Sequence, residues 1–137
     1  MSAGFDTVLI ANRGEIAARI LRGVKATGRR AAVVYHAVDR DAPAVRAADV
    51  AIEIDGPTPV AAYLDGAAII AAAKSVGAGA IHPGYGFLSE NAGFARQLQK
   101  AGLTFIGPSP EAIELMGDKV RARAFVALCG IPLRIEG

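Results

Sequence analysis

Short apolar runs alternate along the chain with segments that carry the signals of helices, and this alternation restricts the fold more than any other feature. The apolar runs predict five strands, at residues 7–11, 31–35, 50–54, 80–82 and 103–106. Glycines mark the ends of the helical segments between them, at Gly28, Gly77 and Gly102. A strand–helix alternation of this kind predicts a parallel sheet with right-handed crossovers and helices on both faces.

Length and charge suit one Rossmann-like α/β domain. The chain has 137 residues, which is enough to bury a core but too short for two large domains. Its 15 Lys and Arg residues against 13 Asp and Glu residues leave a net charge of +2, and it has no tryptophan. A charge so close to balance, with few aromatic side chains, argues against a nucleic-acid partner.

Membrane and secretion signals are not found in the sequence. The longest uninterrupted apolar run covers residues 67–73, far short of the ~20 residues that span a bilayer. The N-terminus has no basic region followed by an apolar stretch, so a signal peptide is not predicted. The single cysteine, Cys129, cannot form an internal disulfide, and its apolar surroundings favour a buried small side chain over a reactive thiol. We therefore expect a cytoplasmic protein with no membrane partner.

Local patterns predict where the helices begin. Asn12 followed by Glu15 has the spacing of a capping box, so we expect the first helix to start there. Ile16, Ile20 and Val24 mark its apolar stripe.

Three further expectations concern later elements. Residues 63–76 read as one alanine-rich helix, and Ser89 reads as the cap of a helix that runs to about residue 101. The third strand carries Glu53, which favours an edge or half-exposed position.

Two polar segments follow predicted strands, where ligands bind in open α/β sheets. The segment after the first strand lacks the GxGxxG pattern of dinucleotide-binding folds, which argues against NAD or FAD. After the fourth strand, Gly84 and Gly86 flank Tyr85 ahead of a predicted helix. Glycines there permit positive φ, and the free N–H groups of the helix start could hold an anion; a simple tight turn is the alternative. A lone histidine such as His82 is more often a hydrogen-bonded core residue than a base.

Other familiar constellations are not found. No His, Cys or carboxylate set has metal-ligand spacing, and no Ser/His/Asp set can be assigned. Lys119 begins the last predicted helix, and with Arg121 and Arg123 it reads as an exposed basic face.

Taken together, three segments resemble the N-terminal region of the biotin carboxylases. They are LIANRGEIA at residues 9–17, IHPGYGFLSEN at 81–91, and FIGPS at 105–109 with MGDK at 116–119. The resemblance extends over essentially the whole chain, in order and at the family's spacing, and long literal strings are far more specific than a glycine pattern.

The resemblance implies an activity and a set of site residues. Enzymes of this family use ATP, Mg²⁺ and bicarbonate to carboxylate biotin on a carrier protein, by way of carboxyphosphate. By the same resemblance, Lys119 contacts the nucleotide, Tyr85 and Gly86 line the biotin side of the active site, and Arg19 and Arg22 lie at a subunit interface. The implied partners are a biotin carboxyl carrier, a carboxyltransferase component and a second copy of the enzyme.

The resemblance also implies how the chain divides. Residues 1–117 match the domain that precedes the ATP-grasp domain in this family, and residues 118–137 match the incomplete start of the ATP-grasp region. The family's metal-binding carboxylates, bicarbonate-binding arginine and catalytic base have no counterpart here. We therefore expect no catalytic residue in this segment, no activity from the chain alone and no tight binding of these ligands.

Three alternatives stay open on the sequence alone. The same fold could serve as a non-catalytic dimerisation or docking module. It could also be the first domain of another ATP-grasp ligase of the carbamoyl-phosphate type, although the string at residues 81–91 argues against this. A dinucleotide-dependent dehydrogenase is opposed by the missing glycine pattern.

Overall fold

A parallel β-sheet forms the centre of the molecule in a computed structural model that describes residues 5–107 and Ile113. The sheet has five strands within these residues, in the spatial order β3-β2-β1-β4-β5. The strands are β1 (Thr7–Ile10), β2 (Arg30–Tyr35), β3 (Val50–Glu53), β4 (Ala80–His82) and β5 (Thr104–Phe105). The predicted parallel α/β architecture is confirmed, as is the edge position of β3.

The central strand β1 is buried along its whole length because both faces of the sheet are covered. Val8 and Ile10 point to one face and Leu9 to the other, as the two-residue period of a strand requires. Continuous burial explains why this strand reads as an unbroken apolar run rather than an alternating one.

Helices cover the two faces unequally. The helices are α1 (Gly14–Ala26), α2 (Pro43–Ala47), α3 (Pro59–Tyr63), α4 (Gly66–Ser75) and α5 (Ala92–Lys100), with short 3₁₀ turns at Ala37–Asp39 and Phe87–Glu90. Helices α1 and α2 pack on the face of Val8 and Ile10, and α3, α4 and α5 pack on the face of Leu9. Among these helices none has the length and apolar character that crossing a membrane requires.

The helix expected at residues 63–76 is confirmed from Gly66 to Ser75 as α4, but its start is wrong, because Tyr63 ends a separate helix, α3. Thr58 caps α3 by accepting a hydrogen bond from the Ala61 N–H, and Asp65 caps α4 by accepting one from the Ala68 N–H, each at 3.1 Å. Two side-chain caps seven residues apart each start a helix, so α4 begins only after Asp65.

The expected starts of α1 and α5 are also wrong. The residue that precedes α1 is Arg13, which makes no side-chain capping bond, and Asn12 is not a cap. Helix α5 is capped by Asn91, whose side-chain oxygen accepts from the Phe94 N–H at 2.9 Å, and Ser89 lies in the preceding 3₁₀ turn.

The buried face of α1 is rotated from the predicted stripe. Ala17, Leu21 and Val24 are buried against the sheet, whereas Ile16 and Ile20 are half-buried. The two isoleucines line a groove that runs beside α1 along the β4 side of the sheet.

The order in which strands are added to the sheet reverses at β1, and this switch determines where the site lies. From β1 the chain proceeds outward to β2 and β3, then returns to add β4 and β5 on the other side of β1. In open α/β sheets the crevice at such a switch point, beyond the carboxyl ends of the strands, is where ligands bind. Here it lies between the carboxyl ends of β1 and β4, where Ile10 pairs in register with His82.

Candidate functional site

Two chain segments meet at the switch point between β1 and β4. The turn after β1 consists of Asn12 and Arg13, and the loop after β4 runs from Pro83 to Gly86. We call these the β1 turn and the β4 loop. The parallel pairing continues into them, because the Ala11 N–H donates to the His82 carbonyl at 3.0 Å.

Asn12 joins the two segments through its side chain. It is only 1% exposed, and its Nδ2 donates to the carbonyl oxygens of Pro83 and Tyr85, both at 2.7 Å. Its Oδ1 accepts from the Arg13 N–H at 2.8 Å. Both amide protons and the amide oxygen are therefore engaged, which offsets the cost of burying a polar group.

The capping box expected from Asn12 and Glu15 is consequently wrong. The Asn12 side chain points toward the β4 loop instead of the N-terminus of α1. Glu15 lies on the surface and pairs with Arg22 at 3.3 Å.

Two glycines shape the β4 loop, and both have φ of +68°. A Cβ on Gly84 would lie 2.7 Å from Asn12 Nδ2 and 2.9 Å from the Ile16 side chain, whereas one on Gly86 would meet nothing within 4 Å. Gly84 thus serves close approach to α1 and the β1 turn, and Gly86 serves the backbone turn alone. The positive φ expected at these positions is confirmed.

His82 supports the loop from the end of β4. Its Nδ1 accepts a hydrogen bond from the Gly84 N–H at 3.1 Å, so the neutral ring carries its proton on Nε2. Burial lowers the pKa of His82 below its usual value, because the charged ring loses hydration there. This is the hydrogen-bonded structural histidine that the sequence favours.

Tyr85 projects from this fixed backbone and is 77% exposed. It borders a groove of about 510 Å³ that opens beside α1. The groove is lined by Ile16, Arg19, Ile20, His82, Gly84, Tyr85, Ile106 and Gly107. The structure therefore brings Tyr85 and Arg19 to one groove, whereas Arg22 is exposed on α1 and does not line it.

A second polar cluster lies behind the β1 turn. The Arg13 guanidinium pairs with Asp39 Oδ1 at 2.8 Å, and the Tyr63 hydroxyl donates to Asp39 Oδ2 at 2.9 Å. The same hydroxyl accepts from the His36 N–H at 3.2 Å. The Tyr63 ring lies 5.5 Å from that of Phe87, between centroids, which links the cluster to the end of the β4 loop.

Burial and hydrogen bonding raise the pKa values of two groups in this cluster, Tyr63 and Arg13. Burial raises the pKa of the Tyr63 hydroxyl to about 12, so it remains a proton donor to Asp39 at neutral pH. The hydrogen bond to Asp39 raises the pKa of Arg13, so the guanidinium stays charged. A charge-assisted hydrogen bond of this kind holds the turn after β1 in place.

Sequence reasoning did not find this cluster. Arg13 and Asp39 are 26 positions apart, and no local pattern joins them. Opposite charges do follow two adjacent parallel strands, β1 and β2, whose carboxyl ends share one edge of the sheet. This placement of opposite charges was the sequence signal that could have predicted the Arg13–Asp39 pair.

Three predicted features lie outside the described residues: Lys119, Cys129 and the expected division at residues 117 and 118. The helix start offered as an anion site is eight residues beyond Gly84, and the Phe94 N–H there is occupied by Asn91. Within residues 5–107, no group of three or more His, Cys, Asp or Glu side chains converges as a metal site.

Comparison with known proteins identifies the domain. The family model described as "Biotin carboxylase, N-terminal domain" matches residues 4–113. The chain is 55% identical to the biotin carboxylase of Haemophilus influenzae over 128 residues, which is 93% of this chain and 28% of that protein. It is 48% identical to the mitochondrial methylcrotonoyl-CoA carboxylase subunit alpha of Arabidopsis thaliana, covering 93% of this chain and 17% of that protein.

Solved structures agree with the sequence comparisons. The biotin carboxylase domain of a thermophilic 2-oxoglutarate carboxylase bound to bicarbonate matches with a TM-score of 0.81 at 47% identity, over 93% of this chain and 29% of that chain. The biotin carboxylase subunit of pyruvate carboxylase matches with a TM-score of 0.81 at 48% identity, over 94% of this chain and 28% of that chain. The chain thus spans less than a third of the relatives it matches. It belongs to the biotin carboxylase family, and residues 4–113 are its N-terminal domain.

Proposed function

We propose that the chain works as the N-terminal part of an enzyme that carboxylates carrier-bound biotin with ATP and bicarbonate, by way of carboxyphosphate. The observation that carries this proposal is the β4 loop, which has the family's sequence and stands at the switch point of the sheet with Tyr85 exposed beside a groove. Family membership supplies the activity class, and the loop supplies a surface on which a ligand can rest.

Within this proposal, each segment has a separate task. Tyr85 and Gly86 line the biotin side of the active site. Lys119 contacts the nucleotide, a role that rests on the MGDK string alone. We assign Mg²⁺ and the phosphoryl chemistry to other parts of the enzyme, because the family's metal-binding carboxylates have no counterpart in this chain.

Arg19 and Arg22 are proposed to lie at a subunit interface. Both are exposed on α1, and Arg22 is held by Glu15. The biotin carboxylase domain of the Hydrogenobacter thermophilus 2-oxoglutarate carboxylase is described as a dimer in complex with MgADP, ADP and bicarbonate. We extend the dimer to the enzyme that carries this chain, together with the carrier and carboxyltransferase partners.

A domain exchange tests the proposal. Residues 4–113 of this chain would replace their counterpart in the Haemophilus influenzae biotin carboxylase, and biotin-dependent release of ADP would be measured. We expect the chimaera to carboxylate free biotin and the 137-residue chain alone to show no turnover. Turnover by the chain alone, or a folded chimaera that hydrolyses ATP but never carboxylates biotin, would contradict the proposal.

The docking-module alternative predicts a different result. The groove beside Tyr85 is a surface on which a second protein could pack, and this observation keeps that alternative open. A module without a catalytic role would self-associate in sedimentation experiments. When residues 4–113 of such a module replace their counterpart in an active carboxylase, the chimaera should lose catalysis.

A further inference from the structure

The β4 loop has a fixed backbone and a free side chain. Its carbonyl groups at Pro83 and Tyr85 are held at 2.7 Å by Asn12, while the Tyr85 side chain is 77% exposed. The loop therefore does not rely on burial of its own tyrosine to set its conformation. The restraint comes from a residue outside the loop, 71 and 73 positions earlier in the chain.

The geometry of this restraint requires an amide. Two carbonyl oxygens accept from the two protons of one nitrogen, and the third bond of the group, from Arg13 N–H to Oδ1, sets which way the amide faces. A carboxylate of the same shape has no proton to donate at neutral pH, so it would place negative charge against both carbonyls. A hydrophobic side chain would leave both carbonyls without this donor.

The residue that follows Asn12 is itself fixed by an ion pair and a hydrogen bond. Its neighbour Arg13 pairs with Asp39 at 2.8 Å, and Asp39 accepts from the buried Tyr63 hydroxyl at 2.9 Å. On the opposite side, the Gly84 backbone packs directly against the Asn12 amide, because any side chain at Gly84 would collide with Asn12 Nδ2. The amide is thus bounded by the Arg13 N–H, by the two loop carbonyls and by the Gly84 backbone.

We propose that Asn12 is a positioning residue that holds the β4 loop so that Tyr85 and Gly86 present a preformed surface to biotin. This inference rests on the proposed function, because biotin is the ligand assigned to that loop. A positioning role differs from a purely structural one: loss of Asn12 should weaken biotin binding more than it affects the reaction of ATP with bicarbonate, because the proposed function assigns the loop to biotin alone. Preformed surfaces gain affinity because they have less motion to lose on binding.

The first experiment measures the clamp in the unaltered chain. Both Asn12 side-chain amide protons should exchange with water about tenfold or more slowly than those of Asn91, which lies on the surface and uses only its oxygen. Equal exchange rates at the two asparagines would overturn the proposal. This measurement needs no substitution, so it holds even if a variant fails to fold.

The second experiment uses Asn12→Asp with fluorotyrosine labelling. The chain has three tyrosines, so three fluorine resonances are expected, and that of Tyr35, the last residue of β2, is the internal reference. In Asn12→Asp the Tyr85 resonance should broaden or divide while that of Tyr35 stays in place. Gln99→Glu makes the same amide-to-carboxylate change on the exposed face of α5 and should leave all three unchanged. A sharp, unmoved Tyr85 resonance in folded Asn12→Asp would overturn the proposal.

The third experiment makes the same substitutions in the complete carboxylase. Asn12→Asp should raise the KM for free biotin about ten- to a hundredfold, and leave ATP hydrolysis that needs bicarbonate but no biotin within about twofold. An unchanged KM for biotin, or equal loss of both activities, would refute the positioning role. If the unaltered carboxylase does not carboxylate biotin, the proposed function fails, and the exchange and fluorine measurements still decide what Asn12 does.

Discussion

The β1 turn and the β4 loop lie side by side, yet they are built in opposite ways. The β1 turn has a buried side chain, Asn12, and a paired one, Arg13, so its side chains carry its contacts. The β4 loop has two glycines and an exposed tyrosine, and its backbone carbonyls carry its contacts. The β1 turn thus restrains the backbone of the β4 loop, and the Tyr85 side chain stays exposed. Substitutions in the two segments should therefore separate stability from binding.

The largest expected effect distinguishes the two glycines of the loop. Both have φ of +68°, a backbone region that strains alanine, and the ψ of −163° at Gly86 is one that essentially only glycine adopts. Only at Gly84 would the added Cβ also lie within 3 Å of the Asn12 and Ile16 side chains. We expect Gly86→Ala to lower the free energy of unfolding by about 1–3 kcal/mol, and Gly84→Ala by about 3 kcal/mol or more. Urea unfolding measures both, and equal losses would mean that the close contact with the β1 turn does not exist.

The next effect tests the cluster behind the β1 turn. Tyr63→Phe removes the hydroxyl that donates to Asp39 and accepts from the His36 N–H, while the apolar part of the ring stays in place. Because two partly buried partners each lose a hydrogen bond, the free energy of unfolding should fall by about 1–2 kcal/mol. Thermal and urea unfolding give the value. A change no larger than that of Tyr85→Phe would show that the cluster contributes nothing to the turn.

A smaller effect should appear as a pH dependence at the base of the β4 loop. Burial lowers the pKa of His82, so the unfolded chain binds a proton at higher pH than the folded chain does. Stability from the neutral ring is therefore present above the unfolded pKa and is lost as pH falls toward the folded pKa. In His82→Asn the side-chain oxygen can accept from the Gly84 N–H but cannot titrate.

The measurement compares the two proteins between about pH 7.5 and 5.5. The wild-type chain should lose more stability over this range than His82→Asn does. His36 is present in both proteins, so the difference between the two curves isolates His82. Parallel curves would be inconsistent with a buried neutral imidazole.

The smallest effect on stability belongs to the exposed tyrosine itself. Tyr85→Ala should change the free energy of unfolding by less than about 0.5 kcal/mol, because the ring is 77% exposed. In the complete carboxylase the same substitution should raise the KM for biotin. A large loss of stability together with an unchanged KM would reverse the roles assigned to the loop and the turn.

The fold could be predicted because its signals are local. Apolar runs, helix-ending glycines and their alternation are visible within a few residues, and the parallel sheet follows from their order. Errors occurred where a second local signal was present but given too little weight. Asp65 caps the start of α4, and Tyr63 reads as part of the same helix only when that cap is disregarded.

The site was predicted only in part, for a different physical reason. The glycines and tyrosine of the β4 loop stand out by composition, whereas Asn12 had a convincing local role as a cap. Its actual partners are more than 70 positions away, and the strand pairing that brings them close is set by tertiary structure. A short pattern contains no information about such partners, so Asn12 was predicted as a helix cap, which it is not, and the Arg13–Asp39 pair was missed.

The return of the chain to β1 has a consequence for synthesis on the ribosome. Strands β1, β2 and β3 can pair one after another as they emerge, since each is added to the outer side of the one before. The other edge of β1 has no partner until β4 has been made, about 70 residues later. During that interval a four-residue apolar strand presents unpaired backbone groups to other nascent chains. Arrival of β4 closes this edge and builds the ligand crevice in the same event, so the crevice is completed by the slowest, most non-local pairing in the domain.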